Sequence, residues 1–221
     1  MSRETTQGRA SRALQVLATL KKAYPDAHCE LDHSSPLELL IATILSAQCS
    51  DKQVNLVTPG LFARYRTAAD FAGAPPGELE DAIKRIGLFR NKAKSIRACC
   101  RKLVGNHGGT VPDSMDALIE LDGVGRKTAN VVLGNAFNIN CGVVVDTHVA
   151  RLSRRLGLTR EERPEKIERA LMKLVPQPDW ALLSHLLIWH GRRRCSARSP
   201  DCEHCEIARL CPRTGLPRLK R

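Results

Sequence analysis

Aromatic side chains are scarce in this sequence, with eight among 221 residues. That excludes a stacking platform of the kind that reads unpaired RNA or DNA bases. Long apolar runs are missing too. The longest, residues 39–45, is far short of the ~20 residues needed to span a bilayer. The amino-terminal MSRETTQGRA carries mixed charge and no apolar core, unlike a secretory signal. Strand-like sequence reduces to Val143-Val144-Val145, and three residues cannot build a sheet alone. No low-complexity linker and no repeat of solenoid period is present. Acidic residues are the minority, 23 against 35 Lys and Arg, for a net charge of +12 and a pI near 9.6. The expectation is a cytoplasmic monomer with no membrane contact and a polyanionic partner. With so few rings to stack on bases, phosphate contacts should dominate, which suits a duplex.

What is present reads as helix nearly throughout. A hydrophobic fraction of 43% with 26% charged residues is ordinary for a globular chain. This length suits one large domain or two small ones and buries roughly 70% of its unfolded surface. Ala10, Ala13, Leu14, Leu17 and Leu20 recur at helical spacing, and Pro25 ends that segment. Ser35-Pro36-Leu37-Glu38 reads as a capping box with proline at the first helical position. Ser50-Asp51 opens a helix predicted to stop near Thr58-Pro59-Gly60. Further helices are predicted over 77–86, 91–103, 114–121, 126–136, 149–156, 164–175 and 180–189, joined by short loops rich in Gly, Pro or Asn. The fold class is all-α.

Nine cysteines in a chain without an export signal argue against a disulfide framework. Cys29, Cys49, Cys99, Cys100 and Cys141 are dispersed and read as small buried hydrophobes. The other four form Cys195-x6-Cys202-x2-Cys205-x5-Cys211. Such crowding points to metal, and four thiolates suit either zinc or an iron–sulfur cluster. The flanking His190 and His204 do not decide between them.

Two further segments carry chemistry. Residues 122–125, Asp-Gly-Val-Gly, join two predicted helices. Gly123 and Gly125 permit positive φ and close backbone approach to an anion, with the positive end of the next helix aimed at the same place. An ordinary helical hairpin has the same look. Lys127 follows in the first helical turn. Partial burial, together with Arg126 and with Lys102 or Arg151 if they lie close, would lower its pKa and make it an amine nucleophile; a phosphate-contacting lysine is the alternative. Asp146, after the Val run and before a helix, is placed as an N-cap. A carboxylate there could also stabilise a sugar cation or accept a proton. Arginine is dense around these segments, at Arg151, Arg154 and Arg155 and again at Arg192, Arg193, Arg194 and Arg198.

LDGVGRKTANVVL, VDTHVARL and C-x6-C-x2-C-x5-C, in this order, resemble the endonuclease III family of base-excision DNA glycosylases, over about residues 35–211. The resemblance implies two helical domains. One is a six-helix barrel over 29–139 holding a helix-hairpin-helix with its hairpin at 122–125. The other is a discontinuous [4Fe–4S] domain of 1–28 and 140–221. It implies that Lys127 is the nucleophile and Asp146 the essential aspartate, facing each other across a cleft. Cys195, Cys202, Cys205 and Cys211 would ligate a structural cluster. Gln48 would fill the gap left by a flipped base, and Leu88 would wedge beside the orphaned partner base. Damaged double-stranded DNA would also meet Gly123, Gly125, Arg126, His148, Arg151 and Arg198. Two departures stand out: Cys49 occupies a position where Ala or Thr is commoner, and residues 138–145 lack the usual proline and look one residue longer.

The implied activity is that of a bifunctional glycosylase and AP lyase that removes oxidised pyrimidines and cuts the strand by β-elimination. A monofunctional mismatch or adenine glycosylase of the same superfamily would typically lack Lys127. A non-catalytic Fe–S or zinc module gripping DNA would need neither Lys127 nor Asp146.

Overall fold

The computed structural model describes residues 4–216. Its helices are α1 (Thr6–Ala23), α2 (Pro36–Leu45), α3 (Asp51–Arg64), α4 (Ala68–Gly73), α5 (Glu78–Ala82), α6 (Phe89–His107), α7 (Met115–Ile119), α8 (Arg126–Ala136), α9 (Thr147–Arg155), α10 (Pro164–Met172) and α11 (Trp180–Arg193). Single 3-10 turns lie at Gln177–Asp179 and Ala208–Leu210. No strand forms among the described residues. The valines at 143–145 are buried in extended chain, where the Val144 N–H donates to Ser184 Oγ at 2.9 Å. No helix is long and apolar enough to cross a membrane among the described residues.

The chain divides into two compact units, one of Cys29–Ile139 and one of the chain before and after it. In the middle unit α2 is apolar on every side, with all seven residues from Leu39 to Leu45 buried. It packs on α3, α6 and α8, while α4 lies along α6. Ser35 caps α2 through its Oγ, which accepts from Glu38 N at 3.2 Å. The reciprocal half of the expected capping box is displaced by one residue: Glu38 Oε2 accepts from the N–H and hydroxyl of Ser34.

The helix predicted to stop near Pro59 does not stop there. α3 runs to Arg64 with Pro59 inside it. Val54, Val57, Thr58 and Leu61 are buried at helical spacing, and their burial outweighs the one backbone bond a proline removes. The short α4 escapes a reading by hydrophobic period, although its signal is local: Thr67 and Asp70 form a complete capping box. Arg97 of α6 pairs with Glu80 of α5 and holds that carboxyl down to about 2.

The second unit is built on α1, α9, α10 and α11 around Val16, Leu17, Leu20, Val149, Leu152, Ile167, Leu171, Leu186 and Leu187. Asn140 ties residues 138–145 down despite the absence of proline. Its side chain accepts from Ala181 N at 3.0 Å and donates to Pro178 O, and its carbonyl accepts from Gln177 Nε2 at 2.9 Å. Of the five dispersed cysteines, Cys99 and Cys100 are fully buried, whereas Cys29, Cys49 and Cys141 are half-exposed. Burial pushes the Cys99 thiol up to about 12, so it behaves as an inert hydrophobe.

Candidate functional site

The hairpin at 122–125 joins α7 and α8. Gly123 has φ +77°, and a Cβ there would come within 3.0 Å of Ser95 Cβ on α6. Glycine is therefore required twice over, for conformation and for room. Gly125 is different from expectation. It is the N-cap of α8 in an extended conformation, φ −97° and ψ 175°, where any residue fits. No side chain caps α8, so its first N–H groups point outward beside the hairpin.

Lys127, the second residue of α8, is exposed rather than partly buried. Its expected neighbour Lys102 is engaged elsewhere: Lys102 Nζ donates to Glu120 O at 2.6 Å and pairs with Asp122 Oδ2 at 3.0 Å. That clamp fastens the hairpin to α6 and neutralises the Lys102 charge. Arg126 beside it is exposed.

Asp146 is the N-cap of α9, as its place in the sequence predicts. Oδ1 accepts from Val149 N at 2.8 Å, and Oδ2 lies 3.0 Å from His148 Nδ1. The two carboxylate oxygens thus have separate tasks, which fixes the plane of the group. His148 and Asp146 both remain partly accessible. α11 approaches this end of α9 closely, because Gly191 leaves space: a Cβ there would meet His148 and the Arg151 guanidinium at 3.1 Å. Arg151 departs from the expected DNA contact. It turns inward and donates to Gly191 O and Cys195 O, both at 3.0 Å.

The four clustered cysteines line one cavity with Leu152, Arg155, Leu156, His190, Ile207 and Arg213. Arg155 organises its rim by donating to Ser196 O and Ala197 O at 2.7 Å and to Cys195 Sγ at 3.2 Å. Its own carbonyl accepts from Thr214 N at 3.0 Å. Arg198 is exposed on the loop so held, whose turn Ser196 closes against Ser199. The two flanking histidines part company. His204 is exposed and bonded to Asp201, whereas His190 is buried, with Nε2 3.5 Å from Cys205 Sγ and Nδ1 3.0 Å from the Tyr24 hydroxyl. Burial pushes His190 down to about 4 and Tyr24 up to about 12. Burial likewise pushes the Cys205 thiol up to about 11 and raises Cys211. Burial thus disfavours the thiolates of Cys205 and Cys211, which a bound cation would favour.

Gln48 and Leu88 share a property that neither sequence position advertises. Both are exposed and both have left-handed backbone, φ 54° and φ 58°, a conformation uncommon for side-chain-bearing residues. Gln48 lies in the turn between α2 and α3, and Leu88 is the N-cap of α6. A Cβ on Gly87 would sit 3.9 Å from Gln48 O, so the two turns are neighbours. Strain of this kind persists only where the surroundings impose it, and it collects at functional sites.

The model for HhH-GPD superfamily base excision DNA repair proteins matches residues 41–177. Endonuclease III of Synechocystis sp. is 56% identical to this chain over 201 residues, 91% of this chain and 92% of that protein. Endonuclease III of Bacillus subtilis is 47% identical over 199 residues, 90% of each. A solved structure of a trapped endonuclease III–DNA covalent intermediate aligns with a TM-score of 0.88 at 46% identity, covering 92% of this chain and 96% of that one. A thermostable thymine-DNA glycosylase shares the fold, with a TM-score of 0.82 at 24% identity.

Proposed function

Since the chain belongs to the endonuclease III family of the HhH-GPD superfamily of base excision DNA repair proteins, we propose that Lys127 and Asp146 carry its reaction on oxidised pyrimidines in duplex DNA. The chain is a DNA glycosylase with AP-lyase activity. The observation that carries the assignment is Lys127 itself, an exposed primary amine one residue into the helix that leaves the glycine hairpin. A relative 46% identical forms a covalent intermediate with DNA, and covalent chemistry at a sugar requires such a nucleophile. A monofunctional glycosylase has no need of that amine, and a non-catalytic module has no need of the amine or of Asp146.

In this reading the damaged nucleotide rotates out of the stack, at a cost smaller than for an intact pair. Asp146 helps to deprotonate Lys127 and stabilises the positive charge that grows on the deoxyribose. The Lys127 nitrogen bonds to C1′ as the glycosidic bond breaks and the base departs with its electron pair. Opening of the sugar ring yields the Schiff base. Loss of a C2′ proton then expels the 3′ phosphate, and water releases the enzyme from the imine. Borohydride trapping on duplexes bearing single lesions tests this directly. A covalent adduct on oxidised pyrimidines, absent from undamaged DNA, is expected; no adduct on any lesion overturns it.

Gln48 and Leu88 are assigned to the opened duplex, Gln48 in the gap and Leu88 against the partner base. Exposed side chains on imposed left-handed turns support that role, since packing explains neither. Gln48→Ala and Leu88→Ala are each expected to slow processing of a lesion in duplex DNA about tenfold or more, and to leave single-stranded abasic DNA within about twofold, because a single strand has no stack to repair. Equal losses on both substrates would return these residues to a packing role.

Phosphate contacts are assigned to the N–H groups of the Gly123–Gly125 hairpin, to Arg126 and to the exposed Arg198. His148, bonded to Asp146, orients the carboxylate as well as facing DNA.

The cavity lined by Cys195, Cys202, Cys205 and Cys211 fits an iron–sulfur cluster better than a single zinc ion. Four sulfurs about 2.3 Å from one zinc lie under 4 Å apart. Among the described residues the metal-ligand atoms that converge within 4.8 Å belong to His190, Cys205 and Glu206, not to three cysteines. Glu206 is moreover paired with Arg194 at 3.1 Å. A [4Fe–4S] cluster spreads its ligands more widely and would brace the loop that presents Arg198. Anaerobically purified protein is expected to be yellow-brown with about four irons per chain, and Cys202→Ser to bleach it. Stoichiometric zinc without iron would overturn the assignment.

A further inference from the structure

Among the described residues Lys92 is the one buried lysine. It is 6% exposed, in the second turn of α6, where a helix N-terminus disfavours positive charge. Burial lowers its pKa below the usual lysine range. An apolar residue of equal length would fill this space without the desolvation that an ammonium suffers. Packing alone therefore does not account for a lysine here.

Its contacts do. Lys92 Nζ donates to Leu45 O at 2.8 Å. Leu45 is the last residue of α2, where carbonyls lack helical partners and the dipole is negative. Three residues further on is Gln48. On its other side, the Lys92 N–H bonds to Leu88 O at 3.1 Å and closes the first turn of α6. One residue thus holds the end of the helix that leads to the Gln48 turn and the start of the helix that the Leu88 turn begins. A second tie joins the far sides of the two turns, from Gln53 Nε2 of α3 to Arg85 O at 3.4 Å, but it is longer and exposed.

We infer that Lys92 is a positioning residue for base flipping, whose ammonium sets the spacing of the left-handed turns that carry Gln48 and Leu88. Without it the carbonyl of Leu45, the last residue of α2, loses the ammonium that holds it, and the two turns can relax independently toward ordinary backbone geometry. The inference rests on the assignment of Gln48 and Leu88 to the opened duplex.

The test uses the full chain and a duplex with one thymine glycol opposite 2-aminopurine, whose fluorescence rises when its stack is lost. Lys92→Met is expected to cut that rise by at least half and to lower kcat on the lesion about tenfold, with KM within threefold. Borohydride trapping on single-stranded abasic DNA should stay within twofold of the parent chain. Lys92→Gln, which retains a shorter donor, gives the same ordering and replaces Lys92→Met should that variant not accumulate as folded protein. Combining Lys92→Met with Leu88→Ala should add less than the sum of the two losses, because both act through one turn. An undiminished fluorescence rise, equal losses on duplex and single strand, or full additivity would overturn the inference. Indifference of Gln48→Ala and Leu88→Ala to strandedness would instead remove the reading beneath it.

Discussion

Lys127→Gln is expected to abolish borohydride trapping, by on the order of 10³-fold or more, as removal of a nucleophile typically does. The substitution keeps a polar side chain of similar reach and removes the amine. Lys127 is exposed, so the fold and the melting temperature should be unchanged. Hairpin geometry does not depend on it either, since Lys102 clamps Asp122 and Glu120 from α6. Binding to a damaged duplex should therefore survive while both base release and strand cleavage fail. A preformed abasic site separates the steps, because its base is already gone, and rapid cleavage should be lost there too. Trapping at the parental rate would place the nucleophile elsewhere.

Asp146→Asn should slow base release on an intact lesion by about 10²- to 10⁴-fold, the range spanned by positioned acid–base and electrostatic groups. The side-chain oxygen that accepts from Val149 N is retained, so the cap on α9 survives. Stability should fall by well under the ~1 kcal/mol that complete loss of a cap costs. What disappears is the charge, which the sugar cation and the Lys127 proton both require. On a preformed abasic site no glycosidic bond has to break, so this variant should keep more of its activity than on an intact lesion, the opposite of Lys127→Gln. Asp146→Ala serves as the control for structure: it loses the cap as well and should melt measurably lower. If Asp146→Asn releases base at the parental rate, the carboxylate is a cap and nothing more.

The elements divide by the range of the interactions that make them. The helical periods, the caps at Ser35, Ser50 and Asp146 and the turn conformation at Gly123 are legible because each depends on groups within four residues or so of one another. The tight spacing of the four cysteines is local in the same sense. Errors collect where a distant partner decides. Pro59 looks like a terminator, but the burial of Val57, Thr58 and Leu61 carries α3 through it. Arg151 reads as a surface cation until Gly191 and Cys195, forty and more residues away, take its guanidinium. Partial burial beside Lys102 or Arg151 would activate Lys127, but Lys127 is exposed and the Asp122 carboxylate holds Lys102.

The sequence by itself determined that this chain is helical, that it carries a hairpin followed by an amine and a capping carboxylate before a helix, and that four thiols lie close enough to share a metal group. Those are statements about composition and spacing, and backbone geometry converts them into structure with little freedom. Only the tertiary structure decided that Gln48 and Leu88 sit on adjacent left-handed turns and that Lys92 is buried between the helices that bear them. A left-handed φ in a residue other than glycine has no local preference behind it, and a lysine in a helix has no reason of its own to leave water. Both conditions are imposed by packing, through contacts such as that from Lys92 to Leu45, across 47 residues of chain, a separation that no period or motif encodes.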